Sequence, residues 1–128
     1  MYTFKISTGE LLNNDGSLLT KAYAGGNCGK NPEGVNNPDM VNVPCIGPLP
    51  PGIYTFGEPV YNSHLGPTAI PLIPDKDNEM YDRSGFYIHW DTKVSGNASE
   101  GCICPYGANG VVIQQMIDSG NTELQVIV

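Results

Sequence analysis

The chain is poor in basic residues. Six Lys and Arg stand against 13 Asp and Glu in 128 residues, for a formal net charge of −7. Nucleic-acid binding needs a basic face, so that class is set aside, and no polybasic stretch offers a contact for anionic lipids. An acidic surface favours solubility and also suits docking to a basic protein partner. Long apolar runs are missing, and none approaches the ~18 residues of a membrane span. The opening Met1-Tyr2-Thr3-Phe4-Lys5-Ile6 lacks the basic-then-apolar order of a secretory leader. Synthesis in the cytoplasm without a signal peptide is therefore expected. Cys-x2–4-Cys knuckles are missing as well: Cys28 and Cys45 are far apart, and Cys102 and Cys104 form Cys-x-Cys. That spacing argues against structural zinc, and no metal or other cofactor is expected. Repeats and charge blocks are absent too, and the length suits one domain over 1–128.

What is plentiful is punctuation, with 16 Gly and 11 Pro. Apolar runs between them predict short strands and long ordered loops. Alternation predicts strands over Tyr2–Ser7, Ile53–Phe56 and Thr122–Val128. Asn13-Asn14-Asp15-Gly16 is a turn signal, with Ser17–Tyr23 as the return strand. Ala69–Ile73 is a strand that Pro71 pushes toward an edge. Gly85–Trp90 is the central strand. Val112, Ile113, Met116 and Ile117 share one helical face within 109–119, with Asn109 as N-cap and Gly120 as stop. Residues 24–51 make a loop long enough to suggest a functional role. The fold class is mostly β with one short helix.

The chemistry centres on two segments, Arg83-Ser84-Gly85-Phe86-Tyr87-Ile88-His89 and Ser99-Glu100-Gly101-Cys102-Ile103. A histidine ends an apolar strand, and a cysteine follows a glycine in a turn. A thiol attacks as the thiolate, and a nearby imidazole can take its proton or hold it as an ion pair. Backbone N–H groups of the turn, those of Gly101 and Cys102, are candidate donors to an oxyanion. Gly101 also permits positive φ. The other cysteines allow several pairings, and a Cys28–Cys45 bridge could close the long loop in an oxidising compartment. Cys104 reads as a buried neighbour or as a redox partner of Cys102, the former favoured because adjacent Cys-x-Cys bridges are strained.

The ordered pair Ile88-His89 and Ser99-Glu100-Gly101-Cys102-Ile103 resembles the active-site signature of the L,D-transpeptidases, bacterial cysteine enzymes of peptidoglycan. Ser7-Thr8-Gly9-Glu10-Leu11, Tyr23-Ala24-Gly25-Gly26-Asn27 with Asn36-Asn37-Pro38, and Gly47-Pro48-Leu49-Pro50-Pro51-Gly52-Ile53-Tyr54 extend it to a small branch used as type VI secretion antibacterial effectors. The chain departs from the common pattern at Cys104, where many carry Arg, and at Trp90, where many carry Gly. The resemblance implies a sandwich-like catalytic fold and peptidoglycan tetrapeptide stems as substrate. It also implies export to the periplasm of a target cell, an immunity protein and a secretion-machine carrier. Cys102 is then the nucleophile and His89 its base, with Ser99 either orienting His89 or shaping the turn. Arg83 could hold a terminal carboxylate, or pair with Asp82 or Glu79 at the surface. Tyr87, Trp90 and His64 are candidate substrate contacts. Alternation puts Tyr87 but not Trp90 on the face of His89. Hydrolysis and transpeptidation both fit. The rival class is an inactive wall-binding or phage or secretion structural module of the same fold.

Overall fold

Alternation at the start of the chain becomes strand β1, Tyr2–Lys5, in which Tyr2 and Phe4 face the core. The computed structural model describes residues 1–63, 65–91, 98–107 and 110–128. β2 (Glu10–Leu12) and β3 (Leu18–Tyr23) follow β1 as an antiparallel meander. The Asn13–Gly16 turn joins β2 to β3. The additional reversal falls at Gly9, whose φ is +72° and where a Cβ would sit 2.6 Å from the Ala22 carbonyl oxygen.

β4 (Gly52–Phe56), β5 (Val60–Ser63) and β6 (Gly66–Pro74) come next, then β7 (Tyr87–Ile88), β8 (Cys104–Pro105) and β9 (Glu123–Ile127). The sheet order is β5-β6-β4-β9-β1-β2-β3-β8, with β7 on β6. β9 lies in the middle of the sheet, parallel to β1 and antiparallel to β4. The sequence assigns Pro71 to an edge, but β6 is interior. Proline is tolerated because the partners change around it. Leu72–Pro74 pair with β4, residues 66–69 with β5, and Ile70 and Pro71 with β7.

The strand expected over Gly85–Trp90 is short and lies off the main run of the sheet: Tyr87–Ile88 pair with β6, and Ile88 bridges Ile103 on its other side. Positive φ at Tyr81, Asp82 and Gly85 keeps the preceding segment out of the ladder. Helix α1, Gly110–Asp118, buries Val112, Ile113 and Met116 and packs on β6. Gly120, at φ +76°, follows its end, while the Asn109 cap lies outside the described residues. Among the described residues the result is a curled, mostly β fold with one short helix, as the sequence predicts.

The 24–51 segment is tied down rather than loose. It carries two 3₁₀ turns, Pro32–Gly34 and Pro38–Met40. Asn36 Oδ1 accepts from the Ala24 N–H at 2.9 Å, and the Gly26 N–H donates to the Ile46 carbonyl at 2.8 Å. Among the described residues, no helix is long and apolar enough to cross a membrane.

Candidate functional site

Two short backbone runs hold the site. Ile88 and Ile103 form a parallel bridge, fixed by His89 N–H to the Ile103 carbonyl at 3.1 Å and Ile103 N–H to the Tyr87 carbonyl at 3.0 Å. Ile88 and Ile103 are both fully buried. Side chains alternate across such a pairing. The register therefore sets Cys102 beside Tyr87, Cys104 beside His89, and Cys102 diagonal to His89. The Cys104 sulfur is 3.6 Å from each ring nitrogen of His89.

Cys102 and His89 both line a cavity of about 730 Å³, together with Arg83, Tyr87, Trp90 and Glu100. Tyr87 and Trp90 both reach it because β7 ends at Ile88, so alternation no longer sends Trp90 to the opposite face. The Trp90 ring packs where a Cβ on Gly110 would stand, 1.9 Å from Cζ2. Among the described residues, its buried Nε1 finds no acceptor. His64 lies outside the described residues.

His89 is 4% exposed, and its Nδ1 lies 2.9 Å from the Trp90 carbonyl oxygen. A carbonyl only accepts, so this contact assigns the Nδ1 proton in the neutral ring and leaves the lone pair on Nε2. The Cys102 sulfur accepts from the Tyr87 N–H at 3.4 Å. Burial pushes its thiol up to about 11. The Tyr87 N–H pulls the other way, Glu100 adds to the rise, and the Arg83 charge and the N–H of Cys102 itself lower it. At neutral pH the resting group is the thiol, so a base must remove its proton during attack. Alkylation of Cys102 by iodoacetamide, followed by peptide mass, is expected to rise about tenfold per pH unit between roughly pH 7 and 10. A plateau below pH 9 would instead show a preformed thiolate.

Ser99 is fully buried and shapes the turn. Its Oγ accepts from Gly25 N–H at 2.8 Å and Gly101 N–H at 3.0 Å and donates to the Cys102 carbonyl at 2.6 Å. Those bonds answer the choice between turn and His89 in favour of the turn. They also correct one expectation, because the Gly101 N–H is already engaged and the Cys102 N–H remains as the oxyanion candidate. Gly101 is required for its shape. Its φ is +133°, and a Cβ there would meet Arg83 Nη2 and Phe86 Cε1, each at 2.7 Å.

Arg83 is buried, not paired at the surface. Nη1 donates to the Val41 and Pro48 carbonyls at 2.6 and 2.7 Å. Nη2 donates to the Gly47 and Glu100 carbonyls at 3.0 and 3.3 Å. The guanidinium also stacks on Phe86 at 5.1 Å. It ties the long loop to the cysteine turn, and both terminal nitrogens are occupied by backbone. Leu49 N–H to the Gly101 carbonyl, and Cys28 N–H to the Ser99 carbonyl, both at 3.0 Å, complete the tie.

Sequence reasoning missed a buried hydrogen-bond cluster that reaches the cavity through Asp91 and Ala98. Fully buried Tyr23 donates to Asp91 Oδ1 at 2.5 Å and accepts from the Ala98 N–H at 2.9 Å. Asp91 Oδ2 accepts from the Gly107 N–H at 3.3 Å. All four cysteines are free thiols, with Cys28 and Cys45 exposed on the cavity wall and Cys104 buried. Among the described residues, no three His, Cys, Asp or Glu side chains gather as a metal site.

Fold and site together define a mostly β protein whose Cys102 thiol and His89 imidazole open on one cavity. No curated protein matches the chain. The chain belongs to the Tlde1 domain family, whose model matches residues 21–126, and that is a family of type VI secretion effectors.

Proposed function

We propose that the chain is a peptidoglycan stem-peptide enzyme of L,D-transpeptidase type, working as one catalytic unit through a Cys102 thioester. The observation that carries this is the shared cavity of Cys102 and His89, with Nε2 holding the lone pair. Cys102 Sγ attacks the carbonyl carbon of the residue before a terminal D-Ala, and its proton passes to His89 Nε2. The C–N bond breaks, Nε2 returns the proton to the departing amine, and D-Ala leaves. The acyl group remains as a thioester on Sγ. Water or another amine then attacks it, and Nε2 carries the nucleophile's proton to sulfur. Water makes the reaction an L,D-carboxypeptidase; a D-amino acid or a second stem makes it an exchange or a cross-link.

In this reading Tyr87 and Trp90 wall the substrate, and the Cys102 N–H faces the developing oxyanion. Arg83 gives positive charge and stiffness to the rim instead of clamping a carboxylate with its terminal nitrogens. Family membership favours an antibacterial toxin delivered to the target periplasm by a secretion-machine carrier. A producing cell would then need an immunity protein, for which the net charge of −7 suits a basic partner. One observation favours the rival, a binding module without turnover: the thiol raised to about 11.

The test is incubation of the protein with a disaccharide-tetrapeptide, with and without an added D-amino acid, followed by mass spectrometry. Loss of the terminal D-Ala, or its replacement, is the expected result. An unchanged fragment across pH and reducing conditions would sink the proposal in favour of the binding module.

A further inference from the structure

Cys104 stands where the sequence departs from the common pattern, and it lies outside the cavity that holds Cys102. We propose that Cys104 is a positioning residue for His89: its thiol packs against the imidazole and fixes the orientation of the ring in the cavity it shares with Cys102. The inference rests on the thioester reading for its link to turnover, but the seating of the ring is a separate physical claim.

The geometry is specific. Cys104 Sγ lies 3.6 Å from Nδ1 and 3.6 Å from Nε2. A hydrogen-bond partner of one ring nitrogen lies outward from it in the ring plane and so away from the other. Equal distances therefore describe packing against the ring, not a bond to either nitrogen. Soft, polarisable sulfur makes favourable contacts of this kind. Nδ1 is meanwhile anchored on the Trp90 carbonyl, so the ring is held at an atom as well as against its body.

The thiol itself has no room to move. Cys104 is fully buried, and its strand pairs it with Tyr23 across β3. The Cys102 carbonyl lies 3.9 Å from its sulfur. Burial raises its thiol above the ordinary range, with the Cys102 and Asp91 charges adding to that, while Tyr23 and Ser99 work the other way. Cys104 therefore stays neutral and does not compete with Cys102 as nucleophile. Among the described residues, the titratable groups facing this corner are His89, Cys102, Asp91 and Tyr23, with Tyr106 stacked 4.8 Å from the Tyr23 ring.

The experiment compares the native protein with Cys104→Ala and Cys104→Ser by nitrogen NMR of the imidazole and by the pH profile of kcat on the disaccharide-tetrapeptide. The native ring is expected to show one tautomer, with the lone pair on Nε2. In Cys104→Ala the ring gains room, so the tautomers mix and the acidic limb of the kcat profile moves. kcat is expected to fall about tenfold with KM within about twofold, as for a slightly misplaced base. In Cys104→Ser the hydroxyl can bond a ring nitrogen, and the tautomer signal shifts again. If Cys104→Ala does not fold, the serine variant carries the test. A native ring signal and a native pH profile in whichever variant folds would overturn the proposal. The NMR arm needs no substrate, so a protein that leaves the tetrapeptide untouched but shows the ring displaced would overturn the thioester reading and uphold the seating of His89.

Discussion

Replacing Cys102 with alanine is expected to lower stem-peptide turnover by at least about 10⁴-fold, since removal of a nucleophile leaves only binding and oxyanion stabilisation. Stability should change by less than about 1 kcal/mol. The reason for that separation lies in what the sulfur touches. It accepts from the Tyr87 N–H at 3.4 Å and lies 3.8 Å from the Gly85 carbonyl, both weak contacts for a second-row atom. The bonds that hold the turn belong to Ser99, Gly101 and the Cys102 backbone, and alanine keeps all of them. Parallel turnover assays and thermal melts check this. Equal turnover in the two proteins would rule out the thioester route, and a large drop in melting temperature would show that the thiol is structural.

The second large effect is opposite in kind. Arg83→Met is expected to destabilise the fold by about 3–5 kcal/mol, because it strands carbonyls that now accept charged donors in a buried setting. For a domain of this size that is roughly 10–20 °C in melting temperature. Arg83 joins Val41, Gly47 and Pro48 of the long loop to Glu100 of the cysteine turn. Arg83→Lys should recover little, since one ammonium cannot reproduce a planar fork reaching four acceptors. Calorimetry on both variants checks it. Near-native melting in Arg83→Lys would mean that charge, not fork geometry, holds the loop.

The sequence was most informative where local pattern decides structure. Tyr2 and Phe4, and Leu124 and Val126, alternate with less buried neighbours because one face of their strands meets the core. Val112, Ile113 and Met116 mark the helix for the same reason. Cys102, His89, Tyr87 and Trp90 are the candidates that the sequence picks out, and they line one cavity. What stayed hidden depends on register and long-range burial. Pro71 looks like an edge residue until three different partners are seen to meet around it. Arg83 reads as a surface charge because no local pattern announces four carbonyls drawn from distant loop positions. Tyr23 and Asp91 lie 68 positions apart, so their hydrogen bond has no sequence signature at all. The pairing of Cys104 with His89 follows from a single parallel bridge between Ile88 and Ile103.

β9 also governs how the molecule comes together. Tyr2 pairs with Leu124 and Lys5 with Ile127, so the middle of the sheet is built from strands at opposite ends of the sequence. A chain emerging residue by residue can form the β1–β3 meander early, since its contacts are local. That meander meets the β4–β6 half through β9 in the middle of the sheet and through the Ile88–Ile103 bridge beside β7 and β8. Contacts of such high sequence separation slow folding, because the whole intervening chain must be ordered before they repay its entropy. Cys102 and His89 draw on both halves through β8 and β7, so the cavity forms where the two halves meet. A chain in which the halves have not met would carry the thiol but not the cavity it shares with His89.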